Sequence, residues 1–314
     1  MYKRKLKRGL ILKVLIIFIS LLLIISLYNA LSYLSSENRK LKKHGYSDEE
    51  IKIISKLDQK FLDEIYSRSY SEHIPHLISE KYFIESKFDE YLELLENNTY
   101  EYSDVIAIVN TNNHIEHYEK IYDSNVELEK LMLVNRYYKL SSDYTGIELS
   151  DISVQYAFDN NKLNLDALNN FIRMHEAAKN EGYTLIANGS YRSYESQEII
   201  YERSRSINGT RRTDEIIARP GHSEHQTGLA LDIQILGRSY SSFDETEEFD
   251  WLINNSHKYG FILRYPKDKE HLTGFKYEAW HYRYVGQEVA TYIFENEITF
   301  DEYYAFYIEH ERNN

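Results

Sequence analysis

Between Val14 and Leu34 no residue carries a charge, and the run is about as long as the roughly 20 residues a helix needs to cross a bilayer. It reads VLIIFISLLLIISLYNALSYL, with no amphipathic stripe and strongly polar flanks, whereas a helix packed on a soluble core keeps one polar side. This predicts a transmembrane anchor at residues 14–34. Lys3, Arg4, Lys5, Lys7, Arg8 and Lys13 precede it and no cluster as dense follows directly. The tail of residues 1–13 is therefore expected in the cytoplasm, and the rest of the chain outside the cell membrane. A cleaved signal peptide is the competing reading, but its apolar core is ordinarily about 7 to 15 residues, and no clear small-x-small site follows here.

The 314 residues allow about two domains. The net charge is −13, and every basic residue named above precedes the first acid, so the exported part is more acidic than the whole. That argues against nucleic acid as a partner, since phosphate contacts need a basic face. Hydrophobic residues at 42% and aromatics at 14% are enough for a buried core. The chain has no cysteine, which removes disulfides, thiolate metal sites and a thiol nucleophile. Any bound metal must then sit on His, Asp or Glu.

Residues 35–45 read as a polar linker. At Ser47 a capping box with Glu50 opens a helix, continued by Ile51, Ile54, Phe61, Leu62 and Ile65. Tyr82 to Leu95 and Tyr102 to Asn110 add further helical patterns, and residues 46–125 are expected to form a small helical module. From about Leu131 the texture turns to mixed α+β, with residues 126–295 as one domain and 296–314 as an acidic C-terminal helix packed on it. Expected elements are helices at Asp166–Asn180, with Leu165, Leu168 and Ile172 on the apolar side, at Tyr194–Arg205 and at Glu247–Tyr259. Strands are expected at Tyr183–Ala187, Leu229–Ile235, Phe261–Tyr265 and Lys276–Val285.

Three polar clusters stand out: Ser190-Tyr191-Arg192-Ser193, then Gly221-His222-Ser223-Glu224-His225 with Asp232 close behind, and Glu278-Ala279-Trp280-His281. Three protein ligands with a position left for water mark a catalytic zinc site. His225, Asp232 and His281 can supply them, with Glu278 as the base that takes a proton from water. On a regular strand residues 278 and 281 would face opposite ways, so a bend or one helical turn must lie between them. His225 likewise has to sit on a loop that Gly228 folds back toward the strand. His222, His257 and His271 are read as ordinary histidines, and Trp280, Tyr282 and Tyr284 as one packed face.

Taken together, Pro220-Gly221-His222-Ser223-Glu224-His225-Gln226-Thr227-Gly228-Leu229-Ala230-Leu231-Asp232 and Glu278-Ala279-Trp280-His281-Tyr282-Arg283-Tyr284-Val285-Gly286 resemble the two zinc motifs of the VanY-type D-alanyl-D-alanine carboxypeptidases, which include the DacB/LdcB cell-wall enzymes. Gly260 to Pro266, and Tyr191-Arg192-Ser193 with Gln197, are similar too. The likeness spans roughly residues 130–290. It implies a small antiparallel-sheet zinc peptidase fold of the lysostaphin and hedgehog kind, with one zinc ion on His225, Asp232 and His281. It also implies Glu278 as catalytic base, Arg192 on the scissile carbonyl, and Gln197, Ser223 and Tyr265 at the peptide terminus. The activity it implies is removal of a C-terminal D-alanine from peptidoglycan stem peptides, at a D-Ala-D-Ala bond or after L-Lys or diaminopimelate, on the wall side of a bacterial membrane. The alternatives are a cross-link endopeptidase and a non-catalytic zinc-bearing wall-binding module. Glu278 with Arg192 speaks against the last, because a binder needs neither a base nor an oxyanion donor. Two departures from the family pattern appear: Gly189-Ser190 stands for its usual Ser-Gly, and Ala279 for its usual Pro.

Overall fold

The computed structural model describes residues 2–313 other than 147, 159–160 and 236–239, and side chains from Leu15 onward apart also from 30, 32–35, 240–241 and 313. The chain divides into two compact units, Met1–Glu85 and Ser86–Asn314.

The first unit is helical. Helix α1 (Tyr2–His44) is followed by α2 (Asp48–Ile54), α3 (Gln59–Tyr66) and α4 (His73–Ser79). The capping box at the start of α2 is made as expected: Ser47 Oγ accepts from the Glu50 amide, and the Glu50 carboxylate accepts from the Ser47 amide. Leu41, Ile51, Ile54, Phe61, Leu62, Ile65, Ile74 and Leu77 form the buried side of these helices.

The expected transmembrane helix at residues 14–34 is not met among the described residues, where no helix is long and apolar enough to cross a membrane. Residues 14, 30 and 32–34 of that run lie outside the described side chains, which leaves less than the roughly 20 residues a span needs. The large apolar side chains that are described there, from Leu15 to Leu31, are all exposed on α1.

The second unit begins with α5 (Phe88–Asn97) and α6 (Tyr102–Asn110). The expected 46–125 module is therefore split, because α6 is an integral part of the second unit. Its residues Val105 to Asn110 are all buried, Ala107 and Ile108 pack with Leu272 and Ala305, and Asp104 pairs with His271 Nε2 at 3.0 Å. The Asn113 side-chain amide donates to the carbonyls of His271 and Leu272.

Two small pairings follow, β1 (Tyr122–Asp123) with β2 (Tyr138–Lys139) in parallel and β3 (Leu149–Asp151) with β4 (Lys162–Asn164) antiparallel. Helix α7 (Leu165–Asn180) starts on the Asn164 side chain, which accepts from the amides of Asp166 and Ala167. It buries Ala167, Leu168, Phe171, Met174 and Ala178 at helical spacing. Leu165, expected on its apolar side, is exposed.

The central sheet is antiparallel, in the order β5 (Ile186–Gly189), β6 (Ala230–Gln234), β8 (His281–Tyr284), β7 (Phe261–Leu263). Helices α8 (Tyr194–Asn208) and α9 (Thr210–Ile216) follow β5, α10 (Glu247–Asn255) precedes β7, and α11 (Glu270–Thr273) lies between β7 and β8. Leu229, Leu231 and Ile233 turn one face of β6 into the core with Tyr282 and Tyr284 of β8 and with α7, and Trp280 packs on the same core. The opposite face carries Asp232, His281 and Arg283. A sheet buried on both faces holds polar side chains only if each finds a partner, and those partners build the site.

The C-terminal segment is interrupted rather than one helix. Helix α12 (Gln287–Glu295) is followed by α13 (Phe300–Tyr303), a π-helical stretch at Tyr304–Glu309 and α14 (His310–Asn313). Asp301 in α13 is buried, not a solvated acid, because it pairs with Arg264.

Candidate metal centre

Strand register brings two of the three expected ligands together. Asp232 on β6 lies directly opposite His281 on β8, and residues opposed across an antiparallel pair hold their Cβ atoms about 4.5–5.5 Å apart. The third, His225, sits on the 3-10 turn Glu224–Thr227, which ends at Gly228 in the left-handed region with φ +72°. A side chain at Gly228 would meet Leu149 Cδ2 at 2.5 Å, so this reversal needs glycine both for its dihedral and for its space. One ligand atom from each of His225, Asp232 and His281 lies within 4.8 Å of the others, and all three residues are buried. His225 Nε2 is 3.4 Å from Asp232 Oδ2, and His281 Nδ1 is 3.1 Å from Asp232 Oδ1.

The bend needed between Glu278 and His281 is present. The strand begins only at His281, whose amide donates to the Glu278 carbonyl across a turn. Glu278 Oε2 then comes to 3.8 Å from His281 Nδ1, the nitrogen that faces Asp232.

The residues fit a metal ion through their outer partners as well. His225 Nδ1 donates to the Ser190 carbonyl at 2.8 Å, leaving Nε2 toward the cluster. His281 uses Nδ1 toward the cluster and gives Nε2 to Glu224 Oε2 at 3.3 Å. Each imidazole thus has its second nitrogen occupied by a fixed acceptor, the arrangement that sets tautomer and ring orientation in metal sites. Gly189 faces Asp232 across the sheet, where an added Cβ would collide with Asp232 Oδ2. The order Gly189-Ser190 therefore has a local reason: glycine clears the ligand, and Ser190 supplies the carbonyl for His225.

Charge in the site follows from burial and neighbours. Burial pulls His225 down to about 3, outweighing the attraction of Asp232. His281 is pulled down by burial too, but its hydrogen bonds to Asp232 and Glu224 win and raise it to about 9. Burial lifts Glu278 to about 7, against the opposing pull of His281. Asp232 stays below the usual carboxylate range, because His225 and His281 outweigh its burial.

Arg192, Gln197, Ser223, Tyr265, Trp280 and Glu278 line one cavity of about 190 Å³ with the three ligands. Arg192 donates to Gln197 Oε1 at 2.9 Å, and Gln197 donates on to the Ala218 carbonyl at 2.7 Å. The Tyr265 ring lies 5.0 Å from that of His281. All eight residues singled out from the sequence thus share one pocket. His222 lines it too, but its Nδ1 is used on the Asn135 carbonyl. His257 stacks on Phe294 and His271 pairs with Asp104, both outside the cluster.

Glu224, Arg264, Arg283 and Asp301 had no expected role. Glu224 is fully buried and takes Arg264 Nε at 2.7 Å and Arg283 NH1 at 2.8 Å on one oxygen, while Arg264 also pairs with Asp301 at 2.5 Å. Burial would raise the Glu224 pKa, but the two guanidinium groups outweigh it and hold the carboxylate ionised. The available signal was Arg264 and Arg283, each within a run of aromatic and aliphatic residues, since a cation placed there demands a buried carboxylate.

Residues 160–287 match the VanY family, described as D-alanyl-D-alanine carboxypeptidase. The chain is 40% identical to YodJ of Bacillus subtilis (strain 168) over 181 residues, 55% of this chain and 66% of that one. It is 33% identical to a D-alanyl-D-alanine carboxypeptidase of Enterococcus faecalis over 182 residues, 55% of this chain and 65% of that one. The chain thus spans just under two thirds of the length of these curated relatives. The solved LdcB LD-carboxypeptidase superposes with a TM-score of 0.56 at 38% identity, covering 59% of this chain and 90% of that one.

Proposed function

Because this chain belongs to the family of VanY-type D-alanyl-D-alanine carboxypeptidases, we propose that it is a zinc carboxypeptidase removing the C-terminal D-alanine of peptidoglycan stem peptides. The observation that carries this reading is Glu278, a partly exposed carboxylate raised to about 7, 3.8 Å from His281 Nδ1 beside a His-Asp-His cluster and with Arg192 in one cavity. A carboxylate poised near neutral pH is what proton transfer to and from water requires.

His225, Asp232 and His281 would hold the ion. When bound, zinc would supply Lewis acidity for the scissile carbonyl and lower the pKa of a water molecule toward neutral. Glu278 takes the proton from that water and returns it to the leaving amine of D-alanine. Arg192, held by Gln197, meets the negative charge that develops on the carbonyl oxygen. Ser223, Gln197 and Tyr265 take the terminal carboxylate. A chain that continues past the bond has no carboxylate there for Ser223, Gln197 and Tyr265, which line the cavity with the cluster, and this favours exopeptidase over cross-link endopeptidase.

The test is release of D-alanine by the zinc-loaded chain from pentapeptide and tetrapeptide stems, followed by mass spectrometry. Release abolished by a chelator and restored by zinc is the expected result, and the faster stem gives the preference between D-Ala-D-Ala and L-Lys or diaminopimelate-D-Ala bonds. Cleavage of cross-linked dimers without free D-alanine would instead establish the endopeptidase.

We also propose that residues 14–34 anchor the protein in the cell membrane, with the N-terminus cytoplasmic and the catalytic unit on the wall side. The exposed apolar side chains along α1 support this, since contiguous exposed apolar surface marks a contact with membrane or protein. The full chain is expected to sediment with membranes and resist carbonate extraction, and a chain lacking residues 1–45 to remain in the supernatant. Equal behaviour of the two would end the anchor reading.

A further inference from the structure

Next to the metal cavity lies a second cavity of about 450 Å³, lined by Arg136, His117, Phe275, Lys276, Glu270 and His271 among others. The two cavities share Phe275, and Glu215 of this one is followed in the chain by Ile216 and Ile217 of the metal cavity. Arg136 is 4% exposed. Its guanidinium lies over the Phe275 ring at 4.8 Å and donates to His117 Nδ1, while its Nε is buried with no hydrogen-bond partner.

A buried guanidinium ordinarily has a carboxylate beside it, because an unpaired charge in the interior is costly. Arg136 makes no direct ion pair among the described residues; Asp214 is near enough to feel its charge, but its oxygens, like the other acids nearby, are already used. Asp214 holds Arg219 through two bonds of 2.9 and 2.8 Å. Glu215 pairs with Arg212 at 2.5 Å and Lys276 at 3.9 Å. Asp104 holds His271 at 3.0 Å, and Glu270 is exposed to solvent. His117 offers a neutral acceptor and not a counter-charge: burial and the neighbouring Arg136 pull its pKa down to about 4.

We infer that this cavity is a subsite for a second carboxylate of the peptide substrate, one internal to the stem, with Arg136 as its anchor. The inference rests on the peptidase reading and adds to it a specificity-determining residue. A planar guanidinium flanked by an aromatic ring suits a planar carboxylate, which the part of Arg136 that lines the cavity would bind. Two internal carboxylates can supply it, that of the γ-linked glutamate and that on a diaminopimelate side chain.

The experiment uses the zinc-loaded full chain in detergent and stem peptides in which each internal carboxylate is either free or amidated. Amidating one of them is expected to raise KM about 10- to 100-fold, the worth of a charge-assisted hydrogen bond, with kcat little changed. The sensitive position identifies the source. In Arg136→Gln the free and amidated peptides should have the same KM, and Arg136→Lys should keep part of the preference. Calorimetric binding of the same peptides to zinc-loaded Glu278→Gln gives the comparison without turnover. Loss of cleavage in the wild-type chain would therefore sink only the peptidase reading. Equal affinities for free and amidated peptides overturn the subsite, as does a preference that survives in Arg136→Gln, which would leave Arg136 a purely structural cation.

Discussion

Replacing Glu278 by Gln is expected to lower kcat/KM by about 100- to 10,000-fold, the range for loss of a positioned acid-base group, while the bound zinc remains near one per chain. The geometry separates these two effects. Glu278 stands 3.8 Å from His281 Nδ1 but is not one of the three clustered ligands, so an amide of the same size leaves the donor set intact and removes only the proton acceptor. The wild-type pH profile should carry the matching signature. Glu278 is raised to about 7 in the metal-free site, chiefly by burial, and a nearby cation favours its ionised form. Its limb should therefore lie at or below about pH 7, with activity lost as the pH falls and the carboxylate protonates. Metal content is read by atomic emission and rates by D-alanine release. A Glu278→Gln protein within tenfold of wild type, still loaded with zinc, would remove Glu278 from the chemistry.

Replacing Glu224 by Gln is expected to cost about 3–5 kcal/mol of stability, the usual penalty for leaving a buried charge without its partner. Glu224, Arg264, Arg283 and Asp301 form two acids and two bases with almost no exposure. With an uncharged amide at 224, Arg264 keeps Asp301, but Arg283 has no counter-charge left among the described residues, only neutral partners such as the carbonyls of Lys130, Met132 and Tyr284. Urea denaturation of the zinc-free protein measures this directly, and a change below about 1 kcal/mol would show that the network is not under electrostatic load. The one oxygen that Gln keeps is drawn to the two arginines, which turns its NH2 toward His281 Nε2 in place of the carboxylate acceptor, so zinc affinity should fall by about 10- to 100-fold as well.

Local elements with strong chemistry of their own were legible in the residues alone. Ser47 and Glu50 announced the start of α2, the apolar spacing of α7 announced its core face, and alternation at Leu229, Leu231 and Ile233 fixed which side of β6 carries Asp232. The residues that the fold gathers in one cavity, His225, Asp232 and His281 with Glu278 and Arg192, stood out as ordered motifs because their residue types and spacing are unusual in combination.

Long-range pairing was left to the tertiary structure. Helical periodicity in Tyr102 to Asn110 could not reveal that α6 packs on Leu272 and Ala305, since an apolar face specifies burial but not its partner. Only the β6–β8 register sets Asp232 opposite His281, and only the turn at residues 278–281 brings Glu278 round to the cluster. Glu224 was invisible as the hub of two arginines because charge compensation in a core depends on three-dimensional proximity, and its partners lie 40 and 59 residues away. Local propensity acts over a few residues, whereas a buried charge is balanced by whatever the fold carries into reach.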